Sequence, residues 1–347
     1  MTNSKWHLRI GVTSRCNFSC KYCNINNQTD GQKDLETNEI LEIIQAAYNN
    51  GITRVHWTGG EPTIRDDIIQ LMAGAKKIGI EKQIITTNGY RLWKIINDLI
   101  KNGLTRVIVS LDSVIRSQFE FLTGRNALRE TLKSIKESVR KLPNVTKISC
   151  CTMKSTLPEL KNFIKFAQDL NNNPKNKGNL VIKLNQFFPC NPQQLTCDGQ
   201  EYWKGEFVSE EKIKETLGLI GKFTPISRDI VEGDNPSYQY YIFERIGVII
   251  GILALFSWKY PCGRCHKIRV LPSGKLSICL NDPTMFNLLS ENLEKKTEII
   301  ERAMLHREKL DKQLPSRNHY RAQLGEMRFG SIGNPIPMKY FYKMIEG

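Results

Sequence analysis

Three cysteines share one short run, Cys16-Asn-Phe-Ser-Cys20-Lys-Tyr-Cys23. Three thiolates can hold three irons of a four-iron cubane and leave the fourth iron open to a ligand. A structural zinc site needs a fourth Cys or His at comparable distance, and His7, the one at hand, falls inside a predicted strand. A second set, Cys262-Gly-Arg-Cys265 with Cys279 after thirteen intervening residues, repeats the three-thiolate pattern beside Lys267 and Arg269. It predicts a second cluster with an open iron, the competing reading being zinc with His266 as fourth ligand. Cys150 and Cys151 lie in an apolar strand pattern and read as packing, while Cys190 and Cys197 lie in loops as inert thiols, auxiliary ligands or a redox pair. Trp258 and Tyr260, just before Cys262, read equally as a stacking surface for a base or as core aromatics.

Short β-branched runs alternate with amphipathic stretches through the first half of the chain. Strands are predicted at Leu8 to Thr13, Arg54 to Thr58, Lys82 to Thr87, Arg106 to Leu111, Lys147 to Met153 and Val181 to Phe187. Helices are predicted at Glu36 to Asn49, Asp66 to Lys77, Leu92 to Asn102, Asn126 to Lys141 and Leu157 to Asp169, with a charged helix near Glu294 to Lys312. Six βα repeats predict an α/β fold, a partial or complete (β/α) barrel over residues 1–190, followed by an irregular carboxy-terminal region, 191–347, that carries the second cysteine set. In such folds chemistry gathers in the loops after the strands' carboxyl ends, where Cys16, Gly59, Asn88 and Asp112 fall.

Those loops carry further motifs: Tyr22 before the third cysteine, Thr58-Gly59-Gly60-Glu61-Pro62, Thr86-Thr87-Asn88-Gly89, and Ser110-Leu111-Asp112-Ser113. Adjacent glycines let backbone approach a charged amino acid closely, and Asn88 and Ser110 offer hydrogen bonds from strand ends; taken singly, each reads equally well as a tight turn or a strand cap. Together and in this order they resemble the radical S-adenosylmethionine enzymes. The resemblance implies a [4Fe-4S] cluster on Cys16, Cys20 and Cys23 whose open iron is chelated by S-adenosylmethionine, reductive cleavage to a 5'-deoxyadenosyl radical, and cofactor contacts from Tyr22, Gly59, Gly60, Glu61, Asn88, Ser110 and Phe188.

Two clusters at these spacings, with Leu8-Arg9-Ile10, Phe121-Leu-Thr-Gly-Arg-Asn126 and Cys265-His-Lys-Ile-Arg269, narrow the resemblance to the GTP 3',8-cyclase family of molybdenum-cofactor biosynthesis. That implies a second [4Fe-4S] cluster on Cys262, Cys265 and Cys279 that meets the purine. It also implies substrate contacts from Arg9, Arg54, His56, Thr86, Lys147, Lys183, Lys267 and Arg269, and a reaction of hydrogen abstraction followed by intramolecular carbon–carbon bond formation. The sequence departs from the family at His56, Lys183 and Lys267, where Arg is usual, and at Phe188, where Met is usual; no free Gly-Gly end follows the Met327 to Gly333 segment. Lys keeps the charge of Arg without its planar fork, and neutral His gives up the charge as well.

The whole-chain properties agree with an enzyme. With 347 residues, 40% apolar and 24% charged, the chain is neither a peptide scaffold nor a disordered one. Its longest apolar run, Ile246 to Phe256, is far short of the roughly 20 residues a spanning helix needs. The start, Met1 to Trp6, lacks the apolar stretch of a signal peptide, which predicts a cytoplasmic protein with reduced thiols and no membrane partner. A net charge of +15 attracts nucleic acid, an anionic membrane or a phosphorylated small molecule, or reads equally as a soluble basic surface. The resemblance, with Arg9, Arg54, Lys147, Lys183, Lys267 and Arg269 as six cations for a triphosphate, implies GTP or another phosphorylated nucleotide slightly ahead of a peptide as substrate, and an external electron donor as partner. Two rivals stand: a two-cluster relative acting on another nucleotide or a peptide, and a non-catalytic zinc protein binding nucleic acid, which leaves the strand-end motifs without a reason.

Overall fold

The computed structural model describes residues 5–23, 33–143, 146–187, 202, 205–227, 231, 238–254, 266–278, 284–289 and 291–313. Their frame is one twelve-stranded sheet in the order β12-β11-β10-β1-β2-β3-β4-β5-β6-β9-β8-β7. The strands are β1 (His7–Gly11), β2 (Arg54–Thr58), β3 (Lys82–Thr87), β4 (Leu104–Ser110), β5 (Thr146–Thr152), β6 (Leu180–Gln186), β7 (Phe223–Ile226), β8 (Gln239–Phe243), β9 (Ile249–Leu253), β10 (Lys267–Val270), β11 (Lys275–Ser277) and β12 (Met285–Asn287). Pairing from β10 through β1 to β6 and on to β9 is parallel; the outer strands join antiparallel. Helices α1 (Thr37–Asn49), α2 (Ile68–Ile78), α3 (Leu92–Lys101), α5 (Leu128–Lys141) and α6 (Leu160–Asn171) connect successive parallel strands, with the short α4 (Arg116–Thr123) before α5; α7 (Glu210–Ile220) and α8 (Leu293–Gln313) follow.

The six predicted strands are present with ends shifted by up to two residues, and the predicted helices likewise, except that Leu157–Glu159 forms a 3-10 turn before α6. One difference is of substance: the region past residue 188 contributes six strands to the same sheet, where fading alternation predicted irregular chain. Of the two predicted forms, partial or complete barrel, the sheet takes the open one among the described residues, since its edges β12 and β7 do not pair. It is curled nonetheless. Lys183 on β6 is four strands from His56 on β2, about 19 Å in a flat sheet, yet its charge acts on the His56 ring.

Period-two alternation sorts the strands' side chains between two faces. Leu8, Ile10, Val55, Trp57, Ile85, Val107, Val109, Ile148, Ile182 and Leu184 form one face, buried against Ile43 and Ile44 of α1, Leu71 of α2, Ile96 and Leu99 of α3 and Phe163 of α6. One polar pair on this face is satisfied: Trp57 Nε1–H donates to Gln83 Oε1 at 3.0 Å, and Gln83 Nε2 donates to Met72 O at 2.9 Å. The opposite face carries mostly polar and cationic residues, with Ile84, Ile108 and Val181 among them.

Candidate functional site

The cysteine loop leaves β1 and is laid against the exit of β2 by backbone bonds. Val12 N donates to Thr58 O at 2.9 Å, Gly60 N to Thr13 O at 2.6 Å and Glu61 N to Arg15 O at 2.9 Å. This contact explains the two glycines. Gly59 has φ +133, a conformation side chains rarely adopt, and a Cβ on Gly60 would overlap Arg15 O. Their smallness therefore serves the approach of the cysteine loop itself. The base of the loop is braced by residues that no motif pointed to. Arg65 donates to Val12 O at 2.6 Å and Leu35 O at 2.8 Å while pairing with Asp67, and Asp34 accepts from Ser14 N at 2.8 Å.

Cys16 and Cys20 are half-buried and Cys23 is exposed. Phe18 N–H donates to Cys16 Sγ at 3.4 Å, and Asn88 Nδ2 lies 4.0 Å from the same sulfur. Burial pushes the Cys20 thiol up, and Asp112, Cys23 and Cys16 push it further, so three thiolates repel one another here until a positive centre joins them. Among the described residues no group of three or more His, Cys, Asp or Glu is gathered closely enough to hold a single metal ion, these three cysteines included. Three thiols on one loop, with no fourth ligand beside them among the described residues, fit an iron–sulfur cubane with one open iron better than a four-ligand zinc site.

Glu61 is 1% exposed and its carboxylate accepts four hydrogen bonds: from Thr63 N at 3.0 Å, Thr63 Oγ1 at 2.5 Å, Thr87 Oγ1 at 2.6 Å and Asn88 N at 2.6 Å. Burial pushes its pKa up against the pull of those donors. Glu61, predicted as a cofactor contact, ties the end of β3 to the turn after β2. Asn88 is positioned by it and donates through Nδ2 to Asn17 Oδ1 at 2.8 Å, joining β3 to the cysteine loop. Glu61→Gln would set an amide donor against the Asn88 N–H; unfolding of this variant is expected to be easier by about 1 to 3 kcal/mol, read as a lower urea midpoint at unchanged slope.

Tyr22, on the same loop, donates its hydroxyl to Asp112 at the end of β4, and Asp112 accepts in turn from Cys151 N at 2.7 Å on β5. Burial, only partly offset by these donors, pushes the Asp112 carboxyl up to about 6. Asp112 was visible in sequence as a strand-end acid; its partner was not. Ser110 stands beside Ser149 in register. Phe188, Cys190, Cys197, Trp258, Tyr260, Cys262, Cys265 and Cys279 lie outside the described residues, as does the chain beyond residue 313.

The polar face of the sheet gathers the predicted substrate residues into rows. Register aligns Lys267, His7, Arg54 and Lys82 along one level, and Arg269, Arg9, His56, Ile84 and Arg106 along the next. Thr58, Thr86, Ile108 and Lys147 follow, and then Ser110, Ser149, Lys183 and Gly251. The eight neighbouring strands β10, β1 to β6 and β9 contain no Asp or Glu. Arg9 donates to Thr58 Oγ1 at 3.3 Å, and burial together with Arg269 lowers its pKa to about 10. The His56 ring lies 2.6 Å from Thr86 Oγ1 and is held well below its usual pKa by burial and then by Arg9, Lys267, Lys183 and His7. At the far side Lys183 Nζ sits 3.8 Å above the Tyr238 ring, Tyr238 donates to Asn185 Oδ1, and Asn185 Nδ2 donates to Ser149 Oγ at 2.8 Å. His7, Lys82, Arg106, Tyr238 and Asn185 were missed in sequence. Strict alternation on β1 to β4 would have found the first three; nothing local marks Tyr238 or Asn185.

Comparison with known proteins adds to this geometry. The family model of the Radical SAM superfamily matches residues 10–167. The "GTP 3',8-cyclase" of Thermodesulfovibrio yellowstonii is 30% identical over 282 residues, 79% of this chain and 81% of that protein. The "GTP 3',8-cyclase" of Synechococcus elongatus is 29% identical over 287 residues, 81% of this chain and 82% of that one. Among solved structures, anSMEcpe with bound AdoMet superposes with a TM-score of 0.58 at 14% identity, covering 98% of this chain and 94% of that chain. Streptococcus suis SuiB bound to S-adenosylmethionine gives 0.57 at 14%, covering 83% of this chain and 64% of SuiB. At such identity these two likenesses are of fold. Among the described residues no helix is long and apolar enough to cross a membrane.

Proposed function

The chain belongs to the radical SAM superfamily, and from that premise we propose that it carries out GTP 3',8-cyclisation, the reaction its relatives are named for. When bound, a [4Fe-4S] cluster and S-adenosylmethionine together supply a carbon-centred oxidant that removes a hydrogen atom from the substrate. Cys16, Cys20 and Cys23 would hold the cluster, with Asn88 and the Tyr22–Asp112 pair fixing the loop that carries them. The cationic rows would hold the triphosphate, while Ser110, Ser149 and Thr86 offer neutral hydrogen bonds between that end and the cluster loop. The protein's part is to hold substrate against the oxidant and keep water away.

The observation that carries the choice of substrate is the polar face itself: two levels of cations across β10 and β1 to β4 with no acidic residue in those strands. A neutral peptide segment gives such a field nothing to bind, whereas a triphosphate spans several cations at once. The test is anaerobic incubation of the reconstituted full chain with reductant, S-adenosylmethionine and GTP. Deoxyadenosine is expected to form with GTP, together with a product isomeric with GTP. No GTP binding and no GTP-dependent deoxyadenosine by protein with both clusters loaded would overturn the reading.

A further inference from the structure

We propose that His56 takes up a proton when a polyphosphate binds across the Arg269–Arg9–His56 row, acting as a cation in the complex and as a neutral hydrogen-bonding group in the free enzyme. The proposal rests on the phosphorylated-substrate reading and adds to it a role for one residue.

Its basis is the position of His56. It occupies the middle of the row, with Arg9 as its register partner on β1 and Arg269 next beyond on β10. The groups acting on it come from every side: Arg9 and His7 from β1, Lys267 from β10, Lys183 from β6 across the curled sheet, and Thr86 from β3 at 2.6 Å, with Arg54 two residues back on its own strand. None of these is an anion. A half-buried imidazole among four cationic or basic side chains cannot keep a proton near neutral pH, and its pKa is depressed accordingly. A polyphosphate reverses the sign of that field, because its charge answers the surrounding cations and its oxygens accept from the ring. A permanent cation in the same place would add one more positive charge to that field in the free enzyme. A histidine carries its charge only when the ligand is present to answer it.

Linkage gives the sign. Between the depressed pKa of free His56 and its higher value in the complex, binding takes up a proton, so affinity falls as pH rises, by up to about tenfold per pH unit for one proton. The terminal phosphate of GTP titrates as well, near about pH 6, so the effect is read against a variant that lacks the titrating ring. Calorimetry of GTP, and of inorganic tripolyphosphate, binding to the reconstituted full chain in buffers of different ionisation enthalpy measures the protons taken up. Wild type is expected to take up more protons than His56→Gln near neutral pH and to lose affinity more steeply with pH. In His56→Arg the excess uptake should vanish while affinity at high pH rises. Proton uptake equal in wild type and His56→Gln would overturn the inference and leave the substrate reading standing. Failure of loaded wild type to bind either ligand at any pH would overturn both. Circular dichroism checks that both variants fold.

Discussion

Replacing Cys16, Cys20 and Cys23 together by Ala should abolish deoxyadenosine formation from S-adenosylmethionine and remove about four irons per chain, one cubane's worth, while leaving the fold intact. The loop keeps its shape without the thiols. Gly60, Glu61 and Val12 hold its base by backbone bonds, Arg65 and Asp34 brace it, and Phe18 packs edge-on against Phe119 and Tyr90. Cys23 is exposed and the other two are half-buried, so truncation leaves little cavity. The repulsion that raises the Cys20 thiol also disappears with its neighbours. Iron content, acid-labile sulfide and deoxyadenosine are the measurements, with far-UV circular dichroism as control. Undiminished deoxyadenosine would sink the assignment of this loop, and zinc without sulfide in the wild type would sink the enzyme reading altogether.

Converting Arg9 and Arg269 to Met together is expected to weaken GTP binding by at least about a hundredfold, since each charge-assisted contact contributes about 1.5 to 3 kcal/mol when made. Met retains the length of the buried stem, which limits lost packing. The two arginines are register partners on β1 and β10, and the lowered pKa of Arg9 records burial and then the like charge of Arg269 beside it. A pair that served the fold would lose stability when replaced. A like-charged pair kept for a polyanion should lose binding while resistance to urea holds or improves, because a repulsion has been removed. A rise in the salt-independence of the residual GTP affinity should accompany the loss. Unchanged GTP affinity in the double variant would show that the phosphates lie elsewhere.

The order of motifs along the chain was enough to identify the βα repeat, the cysteine loop and the family. These are local signals: three thiols within one loop, glycines where backbones must touch, and alternation along each strand. The periodicity also placed Arg9, Arg54 and His56 on a common face, since residues two apart in a strand cannot avoid sharing one. What the sequence could not set was how the strands meet. Parallel neighbours are joined through helices, so register depends on packing of the whole apolar face. Only the folded sheet aligns Arg269 with Arg9 and His56 and brings Lys183 round to the same ring. The same holds for the bonds by which Glu61 holds the end of β3 in place, which its motif alone does not reveal. Tyr22 and Asp112 are ninety residues apart, and a hydrogen bond between them has no local cause. Local chemistry is written in residue types and spacing; charge fields and long-range hydrogen bonds arise only when distant strands are laid side by side.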